Sequence, residues 1–345
     1  MRILVLGGTR FIGPAAVRPL AEAGHEVAVF HRGQSQAALP PQVIHLHGDR
    51  RALADHLQPL HDFGPEVVLD MVALTEADGQ RLIDLFQGVA RRIVAVSSCD
   101  VYRAYDRLRC KVPGPPDPTP LTEDAPLRDQ LYPYREADTS PDHLFYHYEK
   151  ILMERAVLGA PDLLPGTIIR LPMVYGPGDY QHRLYPYLRR MDEGRPHLLL
   201  AAEQARHRLP RGYVEDVGKA IALCVTEERA AGQVYHVAEA PETEAEWVAR
   251  LASVSGWAGE IVTRPNAELP EALRQPYDFA LDWSLDSSRI RTQLGYSELT
   301  LPDEAIRRTL EWERANPPER VDPAMFNYAA EDAVLGKGGS ASRAG

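Results

Sequence analysis

Cysteine and lysine are both scarce in this chain. The three cysteines, Cys99, Cys110 and Cys224, carry no metal-ligand spacing, and their odd number fits a reducing, cytoplasmic compartment better than a disulfide framework. The histidines, His31, His182 and His207 among them, also lack ligand spacing, so no metal site is expected. No apolar run approaches the roughly 18 residues of a membrane span. No basic leader or cleavage site precedes the first apolar segment, so nothing argues for secretion. Positive charge is in deficit: 38 Lys and Arg against 49 Asp and Glu give a net charge of -11, which speaks against a general nucleic-acid role. There is no internal repeat. What remains is an ordinary soluble composition in 345 residues, enough for one large or two modest domains.

The chain opens on an apolar run, residues 2–6, of the kind buried on both faces of a parallel sheet. Gly7 and Gly8 end it, and residues 11–23 carry apolar side chains at helical spacing. Strand, glycine turn and helix in that order make a phosphate cradle, because amides at a helix start point outward and the dipole favours an anion. Gly7 permits the turn and Gly13 lets the helix lie close to the strand. A second strand, residues 26–30, ends in His31-Arg32-Gly33. A carboxylate at this point would bind a ribose 2′-hydroxyl and repel a 2′-phosphate, whereas a guanidinium attracts the phosphate. Arg32 therefore favours NADP(H) over NAD+, unless it is merely a solvent-facing loop residue. Arg10 could share that phosphate or face solvent.

Further strands are expected at residues 42–47, 66–71, 92–96 and 167–170, with helices at 51–60 and 76–88. The alternation predicts an α/β fold, a doubly wound parallel sheet, over residues 1–172. Ligands of such sheets sit beyond the carboxyl ends of the strands, so Gly7, Arg32, Asp49, Met71 and Ser98 should converge on one crevice. Asp49 could accept from an adenine amino group, cap the following helix, or do both. The proline-rich segment 102–143 excludes a long helix or central strand and reads as a lid, a substrate wall or a disordered excursion. A helix over 144–158 would set Tyr146 and Lys150 side by side, four residues apart. Lysine occurs only at 111, 150, 219 and 337, which lowers the chance of an accidental pair.

Beyond residue 172 shorter strands (233–237, 260–262) alternate with helices near 217–227, 244–255 and 303–315. They suggest a smaller mixed α/β substrate domain over 173–316, partly interleaved with the first, with Asp216 capping its first helix. A tail, 317–345, lacks a hydrophobic pattern and is expected to be partly disordered.

Taken together, GGTRFIG, SSCDVY (97–102), LTEDAPL (121–127), YHYEK (146–150), RLPMVYGPGD (170–179), RGYVEDV (211–217) and GQVYHV (232–237) resemble an extended short-chain dehydrogenase/reductase of the NAD-dependent epimerase/dehydratase type. The likeness spans residues 2–316 and implies a Rossmann-type NAD(P)-binding domain. It makes Ser98, Tyr146 and Lys150 catalytic, and Gly7, Thr9, Arg10, Phe11, Ile12, Gly13, His31, Arg32, Asp49, Arg50, Met71 and Lys150 cofactor-binding. Arg211 falls where nucleotide-sugar enzymes of the family hold a diphosphate, and Met173 replaces their usual Asn, so a nucleoside-diphosphate sugar is one candidate substrate. In this reading the tyrosine takes a proton from a substrate hydroxyl while a hydride passes to the nicotinamide. Lys150 and the positive nicotinamide lower the phenol's pKa by roughly three units, about 4 kcal/mol. Epimerase, dehydratase and reductase outcomes remain open. The likeness also implies a homodimer through helices near 76–88 and 144–158. GGTRFIG and FHRG equally resemble chloroplast stem-loop RNA-binding proteins of the same fold, and an NADP(H)-sensing regulator without turnover is a third reading.

Overall fold

The computed structural model describes residues 1–35, 38–136, 139–143 and 145–337. Its first half runs β1 (Arg2–Leu6), α1 (Ile12–Glu22), β2 (Glu26–His31), β3 (Ile44–His47), α2 (Leu57–Phe63), β4 (Val67–Asp70), α3 (Glu76–Phe86), β5 (Arg92–Ser98), α4 (Arg103–Leu108), α5 (Lys150–Leu158) and β6 (Gly166–Leu171). The second half runs β7 (Met173–Tyr175), α6 (Tyr185–Asp192), β8 (His197–Ala201), α7 (Ala202–Arg206), β9 (Arg211–Tyr213), α8 (Val214–Thr226) and β10 (Val234–His236). It closes with α9 (Glu244–Ser255), β11 (Glu260–Arg264), α10 (Ser288–Leu294), α11 (Pro302–Ala315) and α12 (Tyr328–Lys337).

Seven parallel strands form one sheet in the order β10-β6-β5-β4-β1-β2-β3. Alternation along β1 explains the layers. Ile3 and Val5 enter one apolar cluster with Ala16 and Leu20 of α1 and Ile221 of α8, while Leu4 and Leu6 enter the other with Leu82 and Phe86 of α3 and Met153 of α5. α1 and α8 touch backbone to backbone, since a Cβ on Gly218 would overlap the Ala15 carbonyl. The strand expected at 233–237 joins the main sheet as β10, paired with β6. Two short parallel pairs, β8 with β11 and β7 with β9, make up the smaller part.

Three local expectations need correction, and among the readings of the proline-rich segment the packed wall is the one seen. The helix expected over 144–158 begins only at Lys150, because Glu149 is extended (φ -155°, ψ 92°) and caps α5 by accepting from the Ile151 amide; Leu144 lies outside the described residues. Asp216 does not cap α8. It sits in the first turn, buried, and accepts from the Leu299 amide at 2.8 Å. The proline-rich segment carries a helix, α4, and packs as a wall: Arg103 and Arg107 close on Asp117, and the Leu121 amide bonds the Ser284 carbonyl. Residues 317–337 are also folded. α12 docks through a buried Arg190–Glu331 pair, and Val334 and Leu335 pack near Leu199. Residues 338–345 lie outside the described residues. Among the described residues no helix is long and apolar enough to cross a membrane.

Candidate active site

The carboxyl ends of β1, β2, β4 and β5 lie along one edge of the sheet, which places Gly7, Arg32, Met71 and Ser98 along that edge. The Gly7 amide bonds the Phe30 carbonyl, and the Met71 amide bonds the Leu6 carbonyl, each at 3.0 Å. Gly7 (φ 93°) and Gly8 (φ 83°) occupy the left-handed region that glycine tolerates. Gly13 is pressed against Gly8 so closely that a Cβ would overlap its backbone. Phe11 begins α1 without a side-chain cap, and the first turn carries no acidic residue. Its outward amides therefore have the chemistry that a pyrophosphate requires.

Around this cradle the side chains divide. Thr9 Oγ1 accepts from Ser35 Oγ at 2.6 Å. The Arg10 guanidinium stacks on Tyr180, 5.2 Å from the ring centroid, and Phe11 meets the same ring edge-on. At the end of β2, His31 Nδ1 accepts from the Gly33 amide, which leaves Nε2–H to donate to His45 Nδ1 at 2.8 Å. Burial, then the neighbouring His45 and His47, push the His31 pKa down. His31 is thus a neutral imidazole turned toward β3, while Arg32 is exposed and has no ion-pair partner among the described residues. Asp49 caps the turn Arg50–His56 through the Arg51 amide, and the Arg51 side chain holds its carboxyl down at about 2. Arg50 is closed by two carboxylates, Asp78 and the fully buried Asp70, so it braces the crevice floor.

On the other wall, the Lys150 ammonium is buried and donates to the carbonyls of Ala73 and Val96, just beyond β4 and within β5. Burial pushes its pKa down to about 8, while Asp100 and Asp70 act in the opposite sense. Ser98 Oγ accepts from the Asp100 amide at 3.2 Å. Tyr146 is not on a helix with Lys150. It lies in the preceding turn, its ring 4.4 Å beneath the Arg135 guanidinium. The phenol inside the site is Tyr148, buried, with Lys150 Nζ 6.0 Å from its ring centroid. Its hydroxyl donates to Asp100 Oδ2 at 2.8 Å, and Tyr134 donates to the same oxygen at 2.7 Å. Sequence reasoning missed Tyr148, Asp100 and Tyr134. No local signal was available, because the extended conformation of Glu149 is held by Arg128, Tyr132 and Leu74, all distant in sequence.

The two expected substrate residues lie elsewhere. Met173 opens β7, partly buried, and is in register with Arg211 of β9. Arg211 is buried against Glu244 and the Trp247 ring, and Tyr187 donates to the same carboxylate at 2.6 Å. One terminal nitrogen of its guanidinium is paired with Glu244, whereas its buried Nε has no partner among the described residues.

A model of the NAD dependent epimerase/dehydratase family matches residues 3–238. The chain is 28% identical over 244 residues to 2'-dehydrokanamycin reductase of Streptomyces kanamyceticus, covering 69% of this chain and 62% of that protein. It is 24% identical over 249 residues to the chloroplast stem-loop binding protein of 41 kDa b of Arabidopsis thaliana, covering 68% and 58%. The matched region thus spans about three-fifths of the length of these relatives. The fold is similar to that of the epimerase Mth375 of Methanothermobacter thermautotrophicus, with a TM-score of 0.66, 19% identity, and coverage of 91% and 92%. UDP-glucose 4-epimerase of Bifidobacterium longum, solved with NAD+ and UDP, superposes with a TM-score of 0.66, 16% identity, and coverage of 92% and 99%.

Proposed function

Because this chain belongs to the NAD dependent epimerase/dehydratase family, we propose that it is an NAD(P)-dependent oxidoreductase interconverting a carbinol and a carbonyl. The observation that carries this reading is Lys150, an ammonium buried at the crevice between the ends of β4 and β5, two residues from Ser98 along the sheet. Burying an ammonium is costly, and among the described residues this one makes no ion pair that would otherwise explain it.

Gly7, Thr9, Arg10, Phe11, Ile12 and Gly13 would hold the pyrophosphate. His31, Arg32 and Asp49 would face the adenosine end, Arg50 would brace it, and Met71 and Lys150 would adjoin the nicotinamide ribose. The nicotinamide, when bound, supplies or removes a hydrogen with its electron pair at the substrate carbon. Ser98 holds the substrate oxygen, a phenol of the segment 146–148 moves its proton, and the Lys150 charge favours the deprotonated form of what it faces. The exposed Arg32 supports NADP(H) over NAD+. Three thiols outside any disulfide fit a reducing cytoplasm, and a homodimer would use the outer faces of α3 and α5.

The pairing of Arg211 with Glu244 favours a ketone or aldehyde without a diphosphate over a nucleoside-diphosphate sugar. The similarity to 2'-dehydrokanamycin reductase supports reduction as the outcome. The net charge of -11 argues against stem-loop RNA as the ligand.

Mass spectrometry of the natively purified protein should find NADP(H). Nicotinamide absorbance should then change with a panel of alkyl and aryl ketones more than with UDP-glucose. Cofactor binding without any absorbance change would leave a sensor. Tight, salt-sensitive RNA binding in its place would leave the RNA reading.

A further inference from the structure

We propose that the Tyr148 phenol is the group that touches the reacting oxygen, and that Asp100 is its proton partner. The inference rests on the oxidoreductase reading above and assigns the proton path within it.

Position comes first. The Tyr148 hydroxyl donates to Asp100 Oδ2 at 2.8 Å, and the Asp100 amide donates to Ser98 Oγ at 3.2 Å. Ser98 and Asp100 belong to one turn, pinned by the Arg128 Nε–H bond to the Asp100 carbonyl at 2.7 Å. Serine, phenol and carboxylate are thus fixed relative to one another without help from Tyr146, which Arg135 holds on the outer turn.

The hydrogen-bond inventory of Asp100 points the same way. Its Oδ2 accepts two phenols, Tyr134 and Tyr148, whereas its buried Oδ1 has no partner among the described residues. Buried carboxylate oxygens normally find donors, so Oδ1 leaves this carboxylate with an unused acceptor position next to the two phenols. Other charged or titratable groups surround the pair. From α5 and its approach come Lys150 and Glu149, the latter paired with Arg128. From β5 and its exit comes Cys99, from α4 come Tyr105 and Asp106, and just past its end comes Arg109, which lies over the Tyr134 ring.

The chemistry follows from burial. A lone phenolate at position 148 is disfavoured, because burial and the adjacent carboxylate push the phenol's pKa well above its usual value. A relay avoids that species. In the oxidative direction the substrate O–H bond breaks and its proton joins Tyr148 Oη, as the phenol's own proton passes to Asp100 Oδ2. The electron pair left on the substrate oxygen closes the carbonyl as the carbon gives up its hydrogen, with two electrons, to oxidised nicotinamide. Asp100 ends as a carboxylic acid, and the reverse sequence reduces a carbonyl.

The test compares Tyr148→Phe, Asp100→Asn and Tyr146→Phe in full-length protein with NADP(H) bound, on the ketone panel. Tyr148→Phe should lose roughly 100-fold more turnover than Tyr146→Phe, the scale of one proton-transfer group. The solvent-isotope proton inventory should be curved in the wild type, with two protons in flight, and linear in Asp100→Asn. Without substrate, NMR of [13Cζ]tyrosine should show the Tyr148 signal un-ionised to about pH 10 and ionising at lower pH in Asp100→Asn. If Asp100→Asn does not fold, Tyr148→Phe decides, since it removes a single oxygen. Turnover lost in Tyr146→Phe but kept in Tyr148→Phe overturns the relay alone, as does a Tyr148 signal indifferent to Asp100. A wild-type protein that binds cofactor and turns over nothing overturns the oxidoreductase reading and the relay with it.

Discussion

The glycine turn and the approach to α5 face the same crevice but are held by opposite means. At the turn the fit is backbone on backbone: Gly13 lies against Gly8, and neither a charge nor a side-chain hydrogen bond fixes the start of α1. At α5 one buried carboxylate does the work. Glu149 accepts from Arg128 at 3.2 Å and from the amides of Tyr132 and Ile151, while its own amide bonds the Leu74 carbonyl. The first wall depends on residues a few positions apart, the second on partners 17 and 21 positions upstream. Steric fit of that kind tolerates changes in its surroundings. A wall of buried charge fails when any one partner is lost.

Glu149→Ala should therefore give the largest effect. It strands the buried Arg128 charge, and denaturant unfolding should show a loss of about 3–5 kcal/mol. A loss below about 1 kcal/mol would mean that the carboxylate does not organise this wall.

Glu239 sharpens the comparison, because it is a partly buried carboxylate with no cation on it. It accepts from the Tyr213 amide at 2.8 Å and from the Tyr175 hydroxyl at 3.1 Å. Burial is the main reason its pKa is pushed up to about 7. Between its unfolded value and 7 the native state keeps a proton that the unfolded chain releases, so stability falls as pH rises through that window. Glu239→Gln keeps an acceptor and removes the titration. It should be more stable than wild type by about 2–3 kcal/mol at pH 8 and no different at pH 4. Equal stability at both pH values would refute the shift.

Gly13→Ala probes the backbone wall, and a loss of about 1–3 kcal/mol is expected, as for overpacking. The cofactor cradle should suffer more than the fold. Calorimetric titration should show NADP+ binding lost in a protein that still unfolds cooperatively. If Gly13→Ala is instead more destabilising than Glu149→Ala, the contrast between the two walls is reversed.

The same contrast explains what could be read from the sequence. β1, the glycine turn and α1 are dictated within about a dozen residues by apolar runs and φ preferences, so they were legible, as was the parallel pairing of the sheet. The approach to α5 was not. YHYEK reads locally as a helix, and only Arg128, Tyr132 and Leu74, distant in sequence, draw it out and turn Tyr148 inward in place of Tyr146. The docked tail was missed for a related reason. Its anchor is one buried ion pair, Arg190–Glu331, rather than an amphipathic stripe. Arg211 was singled out only through the family resemblance, and spacing alone could not show its pairing with Glu244, 33 residues away.

The smallest effect tests the adenosine end, where neither wall imposes much. Arg32 is exposed and His31 is neutral, so any preference for a 2′-phosphate should rest on one guanidinium. Arg32→Ala should lower affinity for NADP+ relative to NAD+ by roughly tenfold, the size of one exposed charge-assisted contact. The ratio should shrink as salt rises, because an exposed pair is screened. His31→Ala should leave the ratio nearly unchanged at pH 7.5, since its Nδ1 is occupied by the Gly33 amide and its Nε2 by His45. If the two variants exchange these outcomes, the histidine is charged when the nucleotide is bound. The hydrogen bonds that hold it neutral must then break on binding.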